Sequence, residues 1–120
     1  ERTGGTLHSF DIDPRTQNVY KGNGNWHFHH LTGSLERSLQ DQIGEIGNVD
    51  LWIHDSDHSY SWQKFEYSIA SKLLAPNSGL LVSDDIDTTT AFGKFSLEKK
   101  QKAWAIFDTR KFFAFTKLGS

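Results

Sequence analysis

The chain contains no cysteine, which excludes a disulfide framework and a thiolate metal site. It also has no large excess of charge, since its formal net charge is -2 at pH 7 and its pI is about 6.3. It therefore has no general attraction to nucleic acid or to an anionic membrane. No apolar run approaches the ~20 residues of a membrane-spanning helix, and no signal peptide is visible. These absences predict a cytoplasmic protein without nucleic-acid or membrane partners.

The 120 residues have the length of one domain. Short apolar runs alternate with helical patterns, which is typical of an α/β fold. We expect a Rossmann-like, doubly wound sheet that is mostly parallel and ends in an antiparallel hairpin. The hairpin is predicted from AWAIFDT and KFFAFTKL, joined through Arg110 and Lys111. The other predicted strands lie near residues 6–12, 26–30, 49–55 and 80–84, and the predicted helices cover 35–43 and 62–74.

Acidic side chains gather where the predicted strands end. The run LWIHDSDHSY is apolar up to Asp55 and then carries Asp57 and His58. The run GLLVSDDID is likewise apolar at first and acidic at its end, where it contains Asp84 and Asp85. In doubly wound sheets, ligands bind beyond the carboxyl ends of the strands. One such acid would be explained as a helix cap or turn former, but several strands that end in this way predict a functional site.

The stretch from Val49 to Asp87 resembles the second half of a class I S-adenosylmethionine-dependent methyltransferase. Within that group it is most similar to the metal-dependent O-methyltransferases. Their pattern is a strand ending in Asp, then Gly-Asp-His-Ser-Tyr, a helix, Leu-Leu-x-Pro-Gly-Gly, and a strand ending in a pair of acids. Ser56 and Ser78 stand where glycine is commoner. The matching positions are Asp55, Asp57, His58, Ser59, Tyr60, Leu73, Leu74, Pro76, Gly79, Asp84 and Asp85.

The resemblance implies that S-adenosylmethionine is the cofactor. SFDIDPRT fits the second strand of the family, so Asp11 is expected to accept hydrogen bonds from the ribose hydroxyls. An anionic acceptor suits a vicinal diol because it can accept two hydroxyl protons at once. Ser34 matches a hydroxyl near the adenine, although a helix N-cap explains this serine equally well. Asp55 is also expected at the cofactor.

The resemblance further implies a metal site for Mg²⁺ or another divalent cation. Asp55, Asp84 and Asp85 match the metal ligands of the family, and such a cation would lower the pKa of an acceptor hydroxyl. Both acids of the Asp84–Asp85 pair can reach one ion only if the chain turns there. His58 is the candidate general base because imidazole titrates near neutral pH. Asp57 is a second catalytic candidate, which would share that role or orient the imidazole, unless it only starts the next helix.

The family's first strand and glycine-rich loop have no counterpart, since ERTGGT leads directly into the second strand. We therefore expect residues 1–120 to be a single, partial methyltransferase domain that is truncated at its N-terminus and compromised in cofactor binding by itself. The expected methyl acceptor is a hydroxyl of a small molecule or sugar. Assembly into a homo-oligomer stays open.

Two other functions also stay open at this point. FDIDPRT resembles the strand end of a haloacid-dehalogenase-like phosphatase, with Asp11 as nucleophile and Asp13 as general acid. That family expects Thr or Val where this chain has Arg15. The second alternative is a non-catalytic fragment that acts only in assembly. His27 and His29 have a spacing that can bind zinc, but no further motif completes such a site, so we interpret them as packed or exposed side chains.

Overall fold

The computed structural model describes residues 4–22, 24–108 and 110–118. The chain divides into two compact units, Glu1–Ile46 and Gly47–Ser120, which are described separately below. Thr109, the last residue of the predicted hairpin run AWAIFDT, and the first three residues of ERTGGT lie outside the described residues. Within the described ranges, no helix combines the length and apolar character needed to cross a bilayer.

The first unit contains two parallel strands, β1 (Leu7–Asp11) and β2 (Trp26–His30). A 3₁₀ helix, Pro14–Asn18, follows β1 at once because Pro14 cannot continue the ladder and suits a first helical turn. Helix α1 (Leu35–Ile43) follows β2 and buries its leucine and isoleucine side chains at positions 39 and 43, one helical turn apart. β1 therefore ends at Asp11, the acid that the sequence analysis assigned to the ribose hydroxyls.

The second unit is a four-stranded sheet with its helices in the connections. Its elements are β3 (Leu51–His54), α2 (Tyr60–Leu73), β4 (Leu80–Ser83), α3 (Ala91–Glu98), β5 (Ala103–Phe107) and β6 (Phe112–Lys117). The strand order is β3-β4-β6-β5, in which β3 and β4 are parallel and β6 runs antiparallel to both of its neighbours. Because β3 and β4 are parallel, their carboxyl ends lie at the same edge of the sheet.

The core of the second unit lies between α2, α3 and the central strands. Tyr67 of α2 is fully buried, and its ring contacts the rings of Phe92 and Phe95 on α3. Leu81 of β4 is also fully buried in the same cluster. Burial raises the pKa of Tyr67 to about 12, so its hydroxyl stays neutral and forms a 2.6 Å hydrogen bond with that of Ser83. This packing fixes the end of β4 next to the acids that follow it.

The α/β class and the C-terminal hairpin are confirmed, and the strands are mixed in direction. The described residues form two sheets, so a single Rossmann-like sheet stays a prediction, as does one partial domain over residues 1–120. The 3₁₀ helix and α3 were not expected from the sequence. A helix as short as α3 is marginal without its packing partners, so its sequence alone carries a weak signal.

Candidate active site

Three acids follow β3 and β4 at one edge of the four-stranded sheet. Asp55 comes directly after β3, and Asp84 and Asp85 come directly after β4. The ladder continues one residue beyond the strands, because the backbone N–H of Asp84 donates to the carbonyl of His54 at 3.0 Å. The parallel pairing therefore places the acids of both strands side by side, as the topology of the predicted sheet requires.

The chain turns sharply at Asp85, which has a φ of 47°. This left-handed conformation is uncommon for residues other than glycine, and Asn and Asp tolerate it best. The turn is also held by the backbone N–H of Asp85, which donates to Oδ1 of Asp84 at 2.9 Å. As a result, the two adjacent carboxylates have different partners.

Asp55, His58 and Asp85 form one cluster. Each offers a ligand atom that lies within 4.8 Å of the atoms offered by the other two. Within this cluster, Nε2 of His58 lies 3.3 Å from Oδ2 of Asp85. Asp55 is exposed, while His58 and Asp85 are partly buried, so the cluster is open to solvent on one side. Two carboxylates and one imidazole are suitable ligands for a divalent cation.

Asp84 is paired with a lysine instead. Its Oδ2 accepts a 2.8 Å hydrogen bond from Nζ of Lys111, which also lies 4.0 Å from Oδ1 of Asp85. The hydrogen bond from Lys111 lowers the pKa of Asp84, and the same contact raises the pKa of Lys111. Of the three acids predicted as metal ligands, the structure thus brings Asp55 and Asp85 together with His58 and gives Asp84 a protein cation as its partner.

Asp57 lies at the start of α2 and not against the imidazole of His58. Its Oδ1 accepts a 2.7 Å hydrogen bond from the backbone N–H of Ser59, and the hydrogen bonds from Ser59 lower the pKa of Asp57. Ser59 is the N-cap residue, and its hydroxyl accepts from the backbone N–H of Trp62 at 3.4 Å. These contacts explain Asp57 and Ser59 as helix-start residues, and a catalytic role for Asp57 stays a prediction.

A polar network that is buried at His54 and Glu66 supports the loop that carries the cluster, and the sequence analysis did not predict it. His54, the last residue of β3, is fully buried and its Nδ1 is hydrogen-bonded to the carboxylate of Glu66 on α2. The same carboxylate oxygen of Glu66 accepts from the hydroxyl of Ser56 at 2.8 Å, and that hydroxyl accepts from Nε1 of Trp62 at 2.9 Å. Ser56 is therefore fixed from two sides between Asp55 and His58. The only signal in the sequence was a histidine at the buried end of an apolar strand.

In the first unit, Asp11 ends β1 and is partly buried. Its Oδ1 accepts from the backbone N–H of Asp13, and its Oδ2 accepts from the hydroxyl of Thr16, both at 2.9 Å. Each carboxylate oxygen has a second lone pair, so Asp11 can accept further hydrogen bonds. Ser34 is at the N-cap position of α1, but its side chain makes no capping hydrogen bond.

Asp13 forms an ion pair with Arg15, whose guanidinium donates to it at 2.6 Å. This hydrogen bond lowers the pKa of Asp13. Both carboxylate oxygens of Asp13 accept from Arg15, so the residue that the phosphatase interpretation assigns as general acid has a protein cation as its partner.

His27 and His29 pack with His8 on one face of the two-stranded sheet. The His8 ring stacks on both at centroid distances of 5.1 and 5.2 Å, and its Nδ1 lies 2.9 Å from Nε2 of His29. Burial, followed by the two neighbouring imidazoles, lowers the pKa of His8. His27 is exposed and His29 is partly buried, and the stacking with His8 agrees with their interpretation as packed or exposed side chains.

Comparisons with known proteins bear on this geometry. Residues 1–86 match the model of a family described as a methyltransferase domain. The fold is similar to the crystal structure of a proposed O-methyltransferase from Klebsiella pneumoniae, with a TM-score of 0.69 and 14% sequence identity. The match covers 97% of this chain and 63% of that chain, so this chain spans less than two thirds of its structural neighbour. No curated protein matches the sequence significantly.

Proposed function

We propose, from the premise that the chain belongs to the methyltransferase-domain family, that it transfers a methyl group from S-adenosylmethionine to a hydroxyl of a small molecule with the help of a divalent cation. Family membership supports methyl transfer in general. The hydroxyl acceptor and the cation rest on one observation, which is the convergence of Asp55, His58 and Asp85 at the carboxyl ends of β3 and β4.

Asp11 and Ser34, which are predicted to bind the cofactor, have hydrogen-bonding groups that their contacts within the protein do not use. Asp11 is ionisable, and its two oxygens keep lone pairs for the two ribose hydroxyls beyond their internal hydrogen bonds. The hydroxyl of Ser34 is not used in capping α1 and is available to an adenine nitrogen.

The cluster also fits a cation by its dimensions. Ligand atoms on one ion at about 2.1 Å lie at most about 4.2 Å apart, and at about 2.4 Å they lie at most about 4.8 Å apart. The ligand atoms of Asp55, His58 and Asp85 lie within 4.8 Å of one another. Small side-chain rotations would therefore bring the carboxylates of Asp55 and Asp85 onto one ion, with His58 at the edge of the site. When bound there, the cation would stabilise the negative charge that develops on the acceptor oxygen.

We assign the residues of the cluster separate roles. Asp55 and Asp85 hold the positive charge, and Asp85 also orients the imidazole through its contact with Nε2 of His58. This contact leaves Nδ1 of His58 to take the proton of the acceptor hydroxyl. Lys111 holds Asp84, so this acid enters the ligand set only if the lysine releases it.

The test measures Mn²⁺ binding by the loss of the free-ion signal in electron paramagnetic resonance. Asp55→Asn and Asp85→Asn each remove a carboxylate ligand, so each should weaken Mn²⁺ binding on the order of tenfold or more. Asp87→Asn is the matched control, because it removes the same charge from an exposed acid two residues after Asp85. Asp84→Asn tests whether the carboxylate paired with Lys111 is also a metal ligand: Mn²⁺ binding should weaken if it is and stay unchanged if it is not.

His58→Gln separates the two possible roles of the imidazole. If His58 is the base, Mn²⁺ affinity should be unchanged, while transfer of the radiolabelled methyl group from S-adenosylmethionine to a catechol should fall about 100-fold or more. If His58 is a ligand, Mn²⁺ affinity should fall as well. The metal-assisted mechanism is wrong if the wild-type chain does not bind Mn²⁺, or if Asp87→Asn has the same effect as Asp85→Asn.

A further inference from the structure

The edge of the four-stranded sheet at β5 (Ala103–Phe107) is apolar and open. β5 pairs with β6 on one side, and within residues 4–22, 24–108 and 110–118 no strand pairs with its other side. All five residues of β5 are exposed, with Trp104 47%, Ile106 44% and Phe107 69% exposed. Monomeric proteins usually protect such an edge with a charge, a proline or a bulge. The sequence AWAIF contains none of these.

The pairing with β6 fixes which backbone groups of β5 face the open side. The backbone N–H of Asp108 donates to the carbonyl of Lys111 at 3.0 Å, which extends the β5–β6 ladder by one residue. Backbone groups of successive residues point to alternate sides of a strand. The residues that face β6 are therefore Trp104, Ile106 and Asp108. Those that point their N–H and C=O groups to the open edge are Ala103, Ala105 and Phe107.

We propose that two copies of the protein associate through this edge, with their β5 strands antiparallel and a two-fold axis at Ala105. This arrangement joins the two four-stranded sheets into one continuous sheet. Ala105 of each copy would exchange two backbone hydrogen bonds with Ala105 of the other. Ala103 would do the same with Phe107 of the second copy, which makes about six interchain hydrogen bonds in all.

The side chains around Ala105 are complementary to themselves under this two-fold rotation, which is why a second copy is the expected partner. Ala103 lies opposite the large Phe107 of the other copy, and Trp104 lies opposite Ile106. Just outside the strand, Lys102 lies opposite Asp108 of the other copy at both ends of the interface. Opposite charges and aromatic–aliphatic pairs at facing positions stabilise antiparallel strands.

The first experiment is disulfide trapping, which the natural absence of cysteine makes unambiguous. In Ala105→Cys, the two Cα atoms would lie about 5.5 Å apart across the axis, which is within the range that a disulfide spans. In the matched control Ala103→Cys, the two Cα atoms would lie about 14 Å apart, four residues along the strand. Mild oxidation should therefore give a disulfide-linked dimer of Ala105→Cys and leave Ala103→Cys without an interchain disulfide. Equal trapping of both variants, or of neither, would overturn the proposed pairing.

The second experiment is a charge reversal measured by sedimentation equilibrium. Lys102→Asp places two acids opposite each other at both ends of the interface, so it should raise the Kd of the dimer on the order of tenfold. Adding Asp108→Lys to the same chain restores opposite charges and should recover most of the lost affinity. A wild-type protein that stays monomeric up to high micromolar concentrations contradicts the interface, and so does a double variant that associates no better than Lys102→Asp.

Discussion

Asp84 and Asp85 are adjacent in the sequence, yet one carboxylate contacts Lys111 and the other contacts His58. Asp85 has a positive φ, which directs its side chain differently from that of an extended strand residue. Lys111 reaches Asp84 from the hairpin, 27 residues later in the sequence. The order of strands and helices predicted acids at the carboxyl ends of β3 and β4. No local pattern predicted that Lys111 would pair with one of them.

The contact between Lys111 and Asp84 makes a prediction about pH. The pKa of Asp84 lies below its ordinary value of 3.8, so its share of the stability is present above pH 3.8 and is lost as the pH falls through the lowered pKa. The pKa of Lys111 lies above its ordinary value of 10.5, so its share is present below that pH. Lys111→Gln should therefore lower the urea midpoint of unfolding at pH 7, and the difference from wild type should shrink below pH 3.8.

Lys117→Gln is the control for this measurement, since Lys117 is an exposed lysine on the same hairpin. It should leave the urea midpoint nearly unchanged at both pH values. Because Lys111 is largely exposed, salt should reduce the effect of Lys111→Gln. A difference between wild type and Lys111→Gln that persists undiminished at pH 2 would show that the lysine stabilises the fold by packing instead of charge.

At the scale of elements, the strands and the two longer helices were predicted within a few residues because burial imposes a regular spacing on their apolar side chains. The residues that the structure added to the site, such as Glu66 on α2, face the core from predicted elements. Their partners are determined by how α2 packs on β3. The spacing of apolar residues predicts which side chains of an element face the core. Which residues they contact on a neighbouring element depends on how the two elements pack, and the spacing does not predict that.

Gly79 connects α2 to β4 and has no room for a side chain. A Cβ atom there would lie 2.7 Å from Cβ of Leu74 and 2.9 Å from both the backbone nitrogen and the backbone oxygen of Ala75. Because two of these atoms belong to the backbone, they cannot move aside without shifting the loop. Gly79→Ala should therefore lower the free energy of unfolding by about 1–3 kcal/mol, as measured by urea denaturation.

Gly93→Ala provides the opposite control. Gly93 lies within α3, and a Cβ atom there would meet nothing within 4 Å. Since alanine loses less conformational entropy than glycine in a helix, this change should raise the free energy of unfolding by about 0.5–1 kcal/mol. If both substitutions stabilise the protein, the close approach at Gly79 is not a constraint on the fold.

At the scale of the whole molecule, the acid cluster has two explanations, which predict different effects of Mn²⁺ on the stability of the protein. In the first, the ion pair of Lys111 with Asp84 and the contact of His58 with Asp85 stabilise the acids without a metal. In the second, the edge of the sheet binds a cation through Asp55 and Asp85. The function proposed above requires the second explanation, because a bound cation would stabilise the negative charge that an acceptor hydroxyl gains when it loses its proton.

Thermal unfolding separates these explanations, because a ligand that binds only the folded state raises its stability. At a Mn²⁺ concentration about 100 times its Kd, the gain is about 2.7 kcal/mol, which corresponds to roughly 10 °C for a protein of this size. The increase in Tm should disappear with a chelator and in Asp55→Asn or Asp85→Asn, while Asp87→Asn should keep it. All samples need one protein concentration, since dimer formation would itself raise the Tm. If Mn²⁺ leaves the Tm of the wild type unchanged, the contacts with Lys111 and His58 account for the cluster, and the proposed metal assistance is wrong.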